Sequence, residues 1–127
     1  WTAINGVFNQ SSETARFSVA TNGEVEFLSP DAARVKLTGY IYCERVGGSQ
    51  PRYFNFRWSK STDGGTIWNT INDDADAPLD ADNRFKQVSF FVDDVVNTGD
   101  KYRLETKNVT GTENLLVDAV QIDISGF

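Results

Sequence analysis

The sequence predicts an all-β fold, a jelly-roll sandwich of about eight to ten antiparallel strands in a single domain spanning residues 1–127. Three observations support this fold class. Apolar and polar residues alternate in segment after segment, which is the period of a strand with one buried face. Clusters of Gly, Asn, Asp and Pro separate these segments at short intervals. No segment carries the apolar stripe of a helix with caps at both ends.

The two clearest predicted strands lie in the first half of the chain. Over residues 34–44, small and apolar side chains occupy one face and polar or tyrosine side chains the other. The first face is formed by Val35, Leu37, Gly39, Ile41 and Cys43. Over residues 52–59 the inward positions are Phe54, Phe56 and Trp58. Shorter strands are predicted at 15–20, 24–28 and 66–70.

The second half continues the alternation in three longer segments. Over residues 85–92 the inward positions are Val88, Phe90 and Val92. The segments 101–108 and 115–125 alternate in the same way. Their inward residues are Tyr102, Leu104, Thr106, Val120, Ile122 and Ile124. Turns are predicted between the strands at 21–24, 28–32, 46–51, 62–66, 74–83, 97–101 and 109–114.

The charge and the apolar runs exclude two classes of partner. The chain carries 18 acidic and 12 basic residues, a net charge of −6, and no cluster of Lys and Arg of the kind that binds nucleic acid. Charged residues interrupt the apolar runs well before the roughly 20 residues that a membrane-spanning helix needs. We therefore expect neither nucleic-acid binding nor membrane insertion by this domain.

The residue types present also exclude much of catalytic chemistry. Histidine is absent, which removes the commonest general base and rules out a Ser-His-Asp triad. The one cysteine, Cys43, forms no intrachain disulfide and is interpreted as a small apolar residue of a strand. We therefore predict that the protein is not an enzyme and has no catalytic residues, no cofactor and no metal site.

The segment 61–68, Ser-Thr-Asp-Gly-Gly-Thr-Ile-Trp, resembles the Asp box of sialidases and related propellers. It departs from that pattern at Ile67, where the box usually has Thr. A propeller repeats a blade of roughly 40 to 45 residues four to eight times, and this chain is too short for that. We interpret the segment as a structural hairpin turn rather than as part of an active site. The residues that form it are Ser61, Asp63, Gly64, Gly65 and Trp68.

An acidic loop at residues 72–83 offers the one candidate for a metal or an acid-base pair. Its carboxylates belong to Asp73, Asp74, Asp76, Asp80 and Asp82. Calcium would suit such oxygen ligands, but Pro78 and Leu79 interrupt the spacing, and the Gly and terminal Glu of an EF-hand are missing. An exposed loop also cannot raise the pKa of a carboxyl group by burial, as a glycosidase acid requires. A solvated loop is the favoured interpretation.

Several aromatic residues fall on the polar side of their predicted strands. A group of outward rings on neighbouring strands indicates a surface that binds a partner, either a glycan or a second copy of the chain. We favour the second copy. The predicted subunit or ligand contacts are Tyr40, Tyr42, Tyr53, Arg57, Trp68 and Phe91.

The second half of the chain, residues 85–127, resembles the compact jelly-roll heads of the tumour necrosis factor (TNF) and complement globular-head type. An aromatic-rich strand leads to a Gly99-Asp100 turn, a penultimate strand, a further turn and a closing strand that ends at an aromatic residue. In such heads the Gly-Asp pair makes the turn and the last strand ends near a three-fold axis. The resemblance implies a homotrimer.

Heads of this type also occur at the tips of phage tail needles and fibres and on viral spikes. The resemblance therefore implies a non-enzymatic distal knob on the virion surface, or otherwise extracellular, that contacts a host receptor or glycan. Methionine is absent and the sequence starts at Trp1, so we expect a piece of a longer protein, its C-terminal knob on a stalk. Two alternatives stay open: a monomeric carbohydrate-binding module of an extracellular enzyme, and a trimerisation cap with no receptor.

Overall fold

The structure, a computed structural model, describes residues 1–4, 16–20, 22–46, 52–71, 75–79, 86–112 and 114–125. These residues form ten β-strands and no helix, and every strand pairing is antiparallel. The strands are β1 (Thr2–Ala3), β2 (Phe17–Val19), β3 (Val25–Phe27), β4 (Ala33–Val46), β5 (Arg52–Ser61), β6 (Asn69–Thr70), β7 (Ala75–Leu79), β8 (Lys86–Val96), β9 (Lys101–Asn108) and β10 (Asn114–Ser125). The predicted all-β fold is confirmed.

The strands form two sheets that pack face to face. A three-stranded sheet has the order β10-β4-β8. The other sheet, with seven strands in the described part of the chain, follows the path β2-β3-β9-β5-β6, with β1 beside β9 and β7 beside β5. The core lies between the sheets. This is the jelly-roll sandwich that the alternation pattern predicts.

The register of the three-stranded sheet follows from its apolar alternation. Val88, Phe90 and Val92 of β8 are buried and pair with Ile41, Gly39 and Leu37 of β4, respectively. Strand β10 is less covered. Its inward residues Val120, Ile122 and Ile124 are half-buried, and its register against β4 shifts between Val117 and Ala119.

The two sheets approach closely at Gly39. A methyl group there would lie 3.1 Å from Cδ2 of Leu104 and 3.3 Å from Cζ of Phe90. Trp58 fills the space beside it, and its indole N–H donates a hydrogen bond to the Phe90 carbonyl across the sheets at 3.4 Å. A side chain at position 39 would push these rings apart, which explains why a glycine occupies the apolar face of β4.

Three predicted segments differ from the structure by more than two residues at an end. Residues 75–79 form an edge strand beside β5 rather than part of a turn, because Leu79 is buried in the core and an edge strand tolerates Pro78. Strand β8 continues to Val96 although Asp93 and Asp94 are charged. Strand β6 contains only Asn69 and Thr70, since residues 62–67 belong to the turn before it.

The predicted turn at 97–101 closes the loop between β8 and β9. Gly99 has a φ of 88°, a conformation that other residues rarely adopt. Asp100 accepts a hydrogen bond on its carboxylate from the Asn97 amide at 2.9 Å, and its own amide donates to the Asn97 carbonyl at 3.0 Å. These bonds connect the end of β8 to the start of β9, where the chain crosses to the other sheet.

Candidate contact surfaces

The six predicted contact residues do not form one surface. Tyr40, Tyr42 and Phe91 lie on the outer face of the three-stranded sheet, whereas Tyr53, Arg57 and Trp68 lie with the seven-stranded sheet. The prediction that Tyr53 belongs to the same aromatic patch is therefore wrong. Alternation places a side chain on a face of its own strand, but it does not specify which sheet the strand joins.

The outer face of the three-stranded sheet, called here the aromatic face, is centred on Tyr40, Tyr42 and Phe91. Tyr42 and Phe91 are 43% and 58% exposed, and Tyr40 is half-buried. Phe91 pairs across the strands with Thr38, and the Lys36 ammonium lies 4.8 Å from the centre of its ring. The result is a broad surface that combines aromatic rings with polar groups, a composition typical of protein interfaces.

Strands β8 and β10 extend the aromatic face on both sides. Val95 and Leu116 are both large apolar residues close to half exposed. Gln121, opposite Tyr40, donates a hydrogen bond to Asp123 at 3.0 Å. The aromatic face therefore covers all three strands of the sheet rather than a single exposed ring.

The outer face of the seven-stranded sheet carries a row of stacked cations and rings, called here the arginine ladder: Trp1, Arg57, Glu105, Arg103 and Trp68. The Arg57 guanidinium carbon lies 4.0 Å from the centre of the Trp1 rings, and that of Arg103 lies 4.2 Å from Trp68. Between them, Glu105 accepts from Arg57 Nε at 2.7 Å and from Arg103 Nη2 at 2.7 Å and Nε at 3.0 Å. Each guanidinium is thus held by a ring and a carboxylate.

Glu105 is the anchor of the ladder. Its side chain is only 3% exposed, although the alternation pattern places it on the solvent side of β9. Burial by itself would raise the pKa of the carboxyl group. Hydrogen bonds from the Ser59 hydroxyl and the two arginines outweigh that effect and hold the pKa below its ordinary value. The carboxylate therefore stays ionised beneath its cations at neutral pH.

The turn at 61–68 covers this part of the sheet. The Asp63 carboxylate accepts hydrogen bonds from the amides of Thr66 and Ile67 at 3.1 and 3.0 Å, and from the Ser61 hydroxyl at 2.7 Å. These bonds, first that from Ile67, lower the pKa of Asp63. Trp68 folds back and donates from its indole nitrogen to the Gly65 carbonyl at 2.9 Å. Trp68 is thereby placed against Arg103.

A partly buried ionic cluster joins the two sheets, and sequence reasoning missed it. Lys60 of β5 contacts Asp94 at 2.8 Å and Asp100 at 3.3 Å, and donates to the Val95 carbonyl at 2.8 Å. Tyr102 donates from its hydroxyl to the same Asp94 oxygen at 2.8 Å. The alternation pattern, extended by two residues on each strand, would have placed two of these charges inward. Lys60 follows the inward residue Trp58 by two positions, and Asp94 follows the inward residue Val92 by two positions.

The pKa shifts in this cluster follow from its burial and its ion pairs. Burial lowers the pKa of Lys60, but Asp94 and Asp100 together reverse that effect and leave it above its ordinary value. Burial, with a smaller contribution from Asp94, raises the pKa of the Tyr102 hydroxyl far above its ordinary range. Lys60 therefore stays charged and Tyr102 neutral at neutral pH.

A cavity of about 660 Å³ lies beside Trp1. Ile4, Phe54 and Leu115 form apolar parts of its lining, and Thr106 and Asn108 of β9 are among its polar groups. Trp1 contributes to both this cavity and the arginine ladder. A change at Trp1 would therefore alter two sites at once.

Two searches of the described ranges, one for clusters of metal ligands and one for membrane-spanning helices, found none. Among those residues, no three His, Cys, Asp or Glu side chains are arranged to hold a metal ion. The described part of the chain likewise contains no helix long and apolar enough to cross a membrane. The calcium alternative at Asp74, Asp80 and Asp82 falls outside the described residues, and of Asp76 only the backbone is described.

Comparison with known proteins identifies the fold of the chain but neither its family nor its function. No family model and no curated protein matches the sequence. A solved structure of Eiger TNF from S. frugiperda superposes with a TM-score of 0.61 at 9% identity, covering 87% of this chain and 68% of that one. The chain therefore has a TNF-like jelly-roll fold. At this level of identity the likeness shows the fold alone.

Proposed function

We propose that the chain is a non-enzymatic, homotrimeric knob of a phage or viral tail needle, fibre or spike, which contacts the host cell surface. The observation that carries the proposal is the aromatic face, an exposed apolar surface on one sheet of a TNF-like fold. Trimers are typical of this fold. The setting on a virion rests on the sequence resemblance to needle and fibre heads.

The aromatic face is the proposed subunit interface. Fully burying a large apolar side chain contributes about 1.5–3 kcal/mol, and this face offers Tyr42, Phe91, Val95 and Leu116. Because the surrounding residues are polar, the surface stays soluble until it is paired. Three copies related by a closed rotation would each cover part of this sheet.

The solution mass tests the trimer. Light scattering coupled to size exclusion is expected to give about three times the 14.1 kDa of one chain. The Phe91→Asp substitution places a charge in the proposed interface and should give a mass near that of one chain. Tyr53→Asp is the matched control, since Tyr53 is 50% exposed but lies on the other sheet, and it should leave the mass unchanged. A chain that is monomeric, and remains so with its native stalk attached, rejects the proposal.

The arginine ladder favours a second candidate, a monomeric carbohydrate-binding module of an extracellular enzyme. Trp1 is 40% exposed and Trp68 is half-buried, and both rings stand beside polar groups on a sheet face. Aromatic rings next to hydrogen-bonding groups are typical of sugar-binding surfaces. A mass near 14.1 kDa together with glycan binding would favour this candidate over the knob.

A further inference from the structure

We propose that the arginine ladder binds a saccharide that bears a carboxylate group. This inference rests on the surface-contact role proposed above and specifies its ligand class. The site lies on the seven-stranded sheet, away from the aromatic face, so it remains accessible if the aromatic face is covered by other subunits. Each chain would hold one such site, because the five residues of the ladder belong to the same chain.

Among the contacts between described residues, the two guanidinium groups retain donors for a ligand. Arginine has five N–H donors; Arg57 uses Nε for Glu105, and Arg103 uses Nε and Nη2. Their side chains are 20% and 25% exposed, whereas Glu105 between them is 3% exposed. The carboxylate of Glu105 is therefore covered, while part of each arginine side chain above it is open to solvent and to a ligand.

The register of β5 and β9 sets the size of the site. Arg57 pairs with Glu105, and Ser59 with Arg103, so the two arginines are diagonal neighbours on one face. Diagonal neighbours in an antiparallel pair stand roughly 7–8 Å apart at their Cα atoms. Side chains at that separation can converge on one carboxylate, and the planar guanidinium group matches a carboxylate in a two-bond geometry.

The ladder is organised before any ligand arrives. Each guanidinium is stacked on an indole ring and fixed by Glu105, and the Ser59 hydroxyl in turn holds Glu105. Little side-chain freedom is left to lose on binding, which favours affinity for a small ligand. Two arginines and one glutamate leave a local charge of +1 on a chain whose net charge is −6.

These charges select the class of anion. A polyanion such as nucleic acid would meet repulsion from the rest of the acidic chain. A single carboxylate needs only the local charge, and the exposed part of the Trp1 indole offers an apolar surface for the C–H face of a sugar ring. A carboxylated pyranose combines both groups, and it occurs as sialic acid or as a uronic acid.

The test is a titration of the 127-residue chain with three oligosaccharides, followed by NMR. The probes are a sialic-acid-terminated trisaccharide, a glucuronic-acid disaccharide and neutral lactose. At least one acidic probe should bind at least tenfold more tightly than lactose, and the stronger of the two identifies the source of the carboxylate. Equal affinity for all three, or no binding of either acidic probe, overturns the inference.

Variants place the binding at the ladder. Arg103→Gln should weaken the acidic ligand at least tenfold, whereas Arg34→Gln, the same change at an exposed position on the three-stranded sheet, should leave it within twofold. Arg57→Lys keeps the charge and should weaken binding less than Arg103→Gln does. This second variant keeps the test valid if Arg103→Gln folds poorly. Equal effects of Arg103→Gln and Arg34→Gln would reject the site.

The solution mass of the same samples separates this inference from the proposed trimer. A trimer that binds no acidic saccharide rejects only the ligand class. A monomer that binds one through Arg103 rejects only the trimer and supports the carbohydrate-module alternative.

Discussion

The two sheets of this molecule differ in what covers their outer faces. On the seven-stranded sheet, the turn at 61–68 and the arginine ladder lie over the outward residues, so Ser59, Ser61 and Glu105 are buried although they point away from the core. On the three-stranded sheet, Tyr42 and Phe91 remain 43% and 58% exposed. On the seven-stranded sheet, the region around Glu105 is covered by residues of the same chain. The other sheet presents apolar surface, and we assign it to other copies of the chain.

The same comparison separates two kinds of stabilisation. Polar groups buried on the seven-stranded sheet must find hydrogen-bond partners, and in the described part of the chain no buried side-chain nitrogen or oxygen lacks one. The aromatic face has no such requirement, because exposed rings lose little in water and gain only when they are covered. Substitutions on the first face should therefore affect folding, and those on the second should affect assembly.

The largest effect is expected between the sheets rather than on either outer face. Lys60→Met removes the cation from Asp94 and Asp100 and leaves two carboxylates in a largely buried position. Breaking a fully buried ion pair costs about 3–5 kcal/mol, and partial solvent access at Asp94 reduces this to about 2 kcal/mol. Urea denaturation at pH 7 measures the change.

The pH dependence provides the control for this ionic cluster. The folded-state pKa of Lys60 is raised above its unfolded value, so its contribution is fully present below about pH 10 and is lost only as the pH rises through the higher folded value. The difference between wild type and Lys60→Met should therefore be constant from about pH 7 to 9. An equal stability of the two proteins at pH 7 would show that the cluster does not hold the sheets together.

A smaller loss is expected on the outer face of the seven-stranded sheet. Glu105→Gln removes the charge that fixes Arg57 and Arg103 but keeps the size of the side chain, and should lower the free energy of unfolding by about 1–2 kcal/mol at pH 7. Because the folded pKa of Glu105 lies below its unfolded value, this contribution is present above about pH 5 and is lost as the pH falls below about 4.

Thermal melts of the wild type and Glu105→Gln from about pH 3 to 7 test whether the stabilisation by Glu105 is lost at acidic pH. The two curves should converge at the acidic end and separate as the pH rises. Curves that run parallel over the whole range would mean that the ladder contributes packing alone.

Much of the fold follows from the sequence because the alternation of apolar residues is strong in the long strands. It placed Phe54, Phe56 and Trp58 in the core, and likewise Val88, Phe90 and Val92. It did not predict β7, because the turn-forming residues around Pro78 hide a strand that is held by pairing with β5 and by burial of Leu79. In that segment, tertiary contacts stabilise a strand although the local composition favours a turn.

The contact surfaces were less accessible to sequence reasoning. Alternation correctly placed Tyr42 and Phe91 outward, since each lies between two inward apolar residues on its own strand. It gave no indication that Glu105 is buried, because burial on an outer face depends on what the turn and the arginines place over it. The pairing of β5 with β9 brings Arg57, Arg103 and Glu105 together, and this non-local contact has no signature in either strand alone.

The smallest effect on folding is expected from a substitution on the aromatic face. Such a substitution tests the contrast between the outer faces of the two sheets directly. Phe91→Ser removes an exposed ring and should change the unfolding free energy of the isolated protomer by no more than about 0.5 kcal/mol. The same substitution should shift the proposed trimer to lower mass at micromolar concentration, because the ring is a proposed interface contact. Unfolding is measured on samples diluted until the mass is that of one chain. A loss of protomer stability comparable to that of Glu105→Gln would mean that the aromatic face is part of the fold itself, and the contrast between the two sheets would then fail.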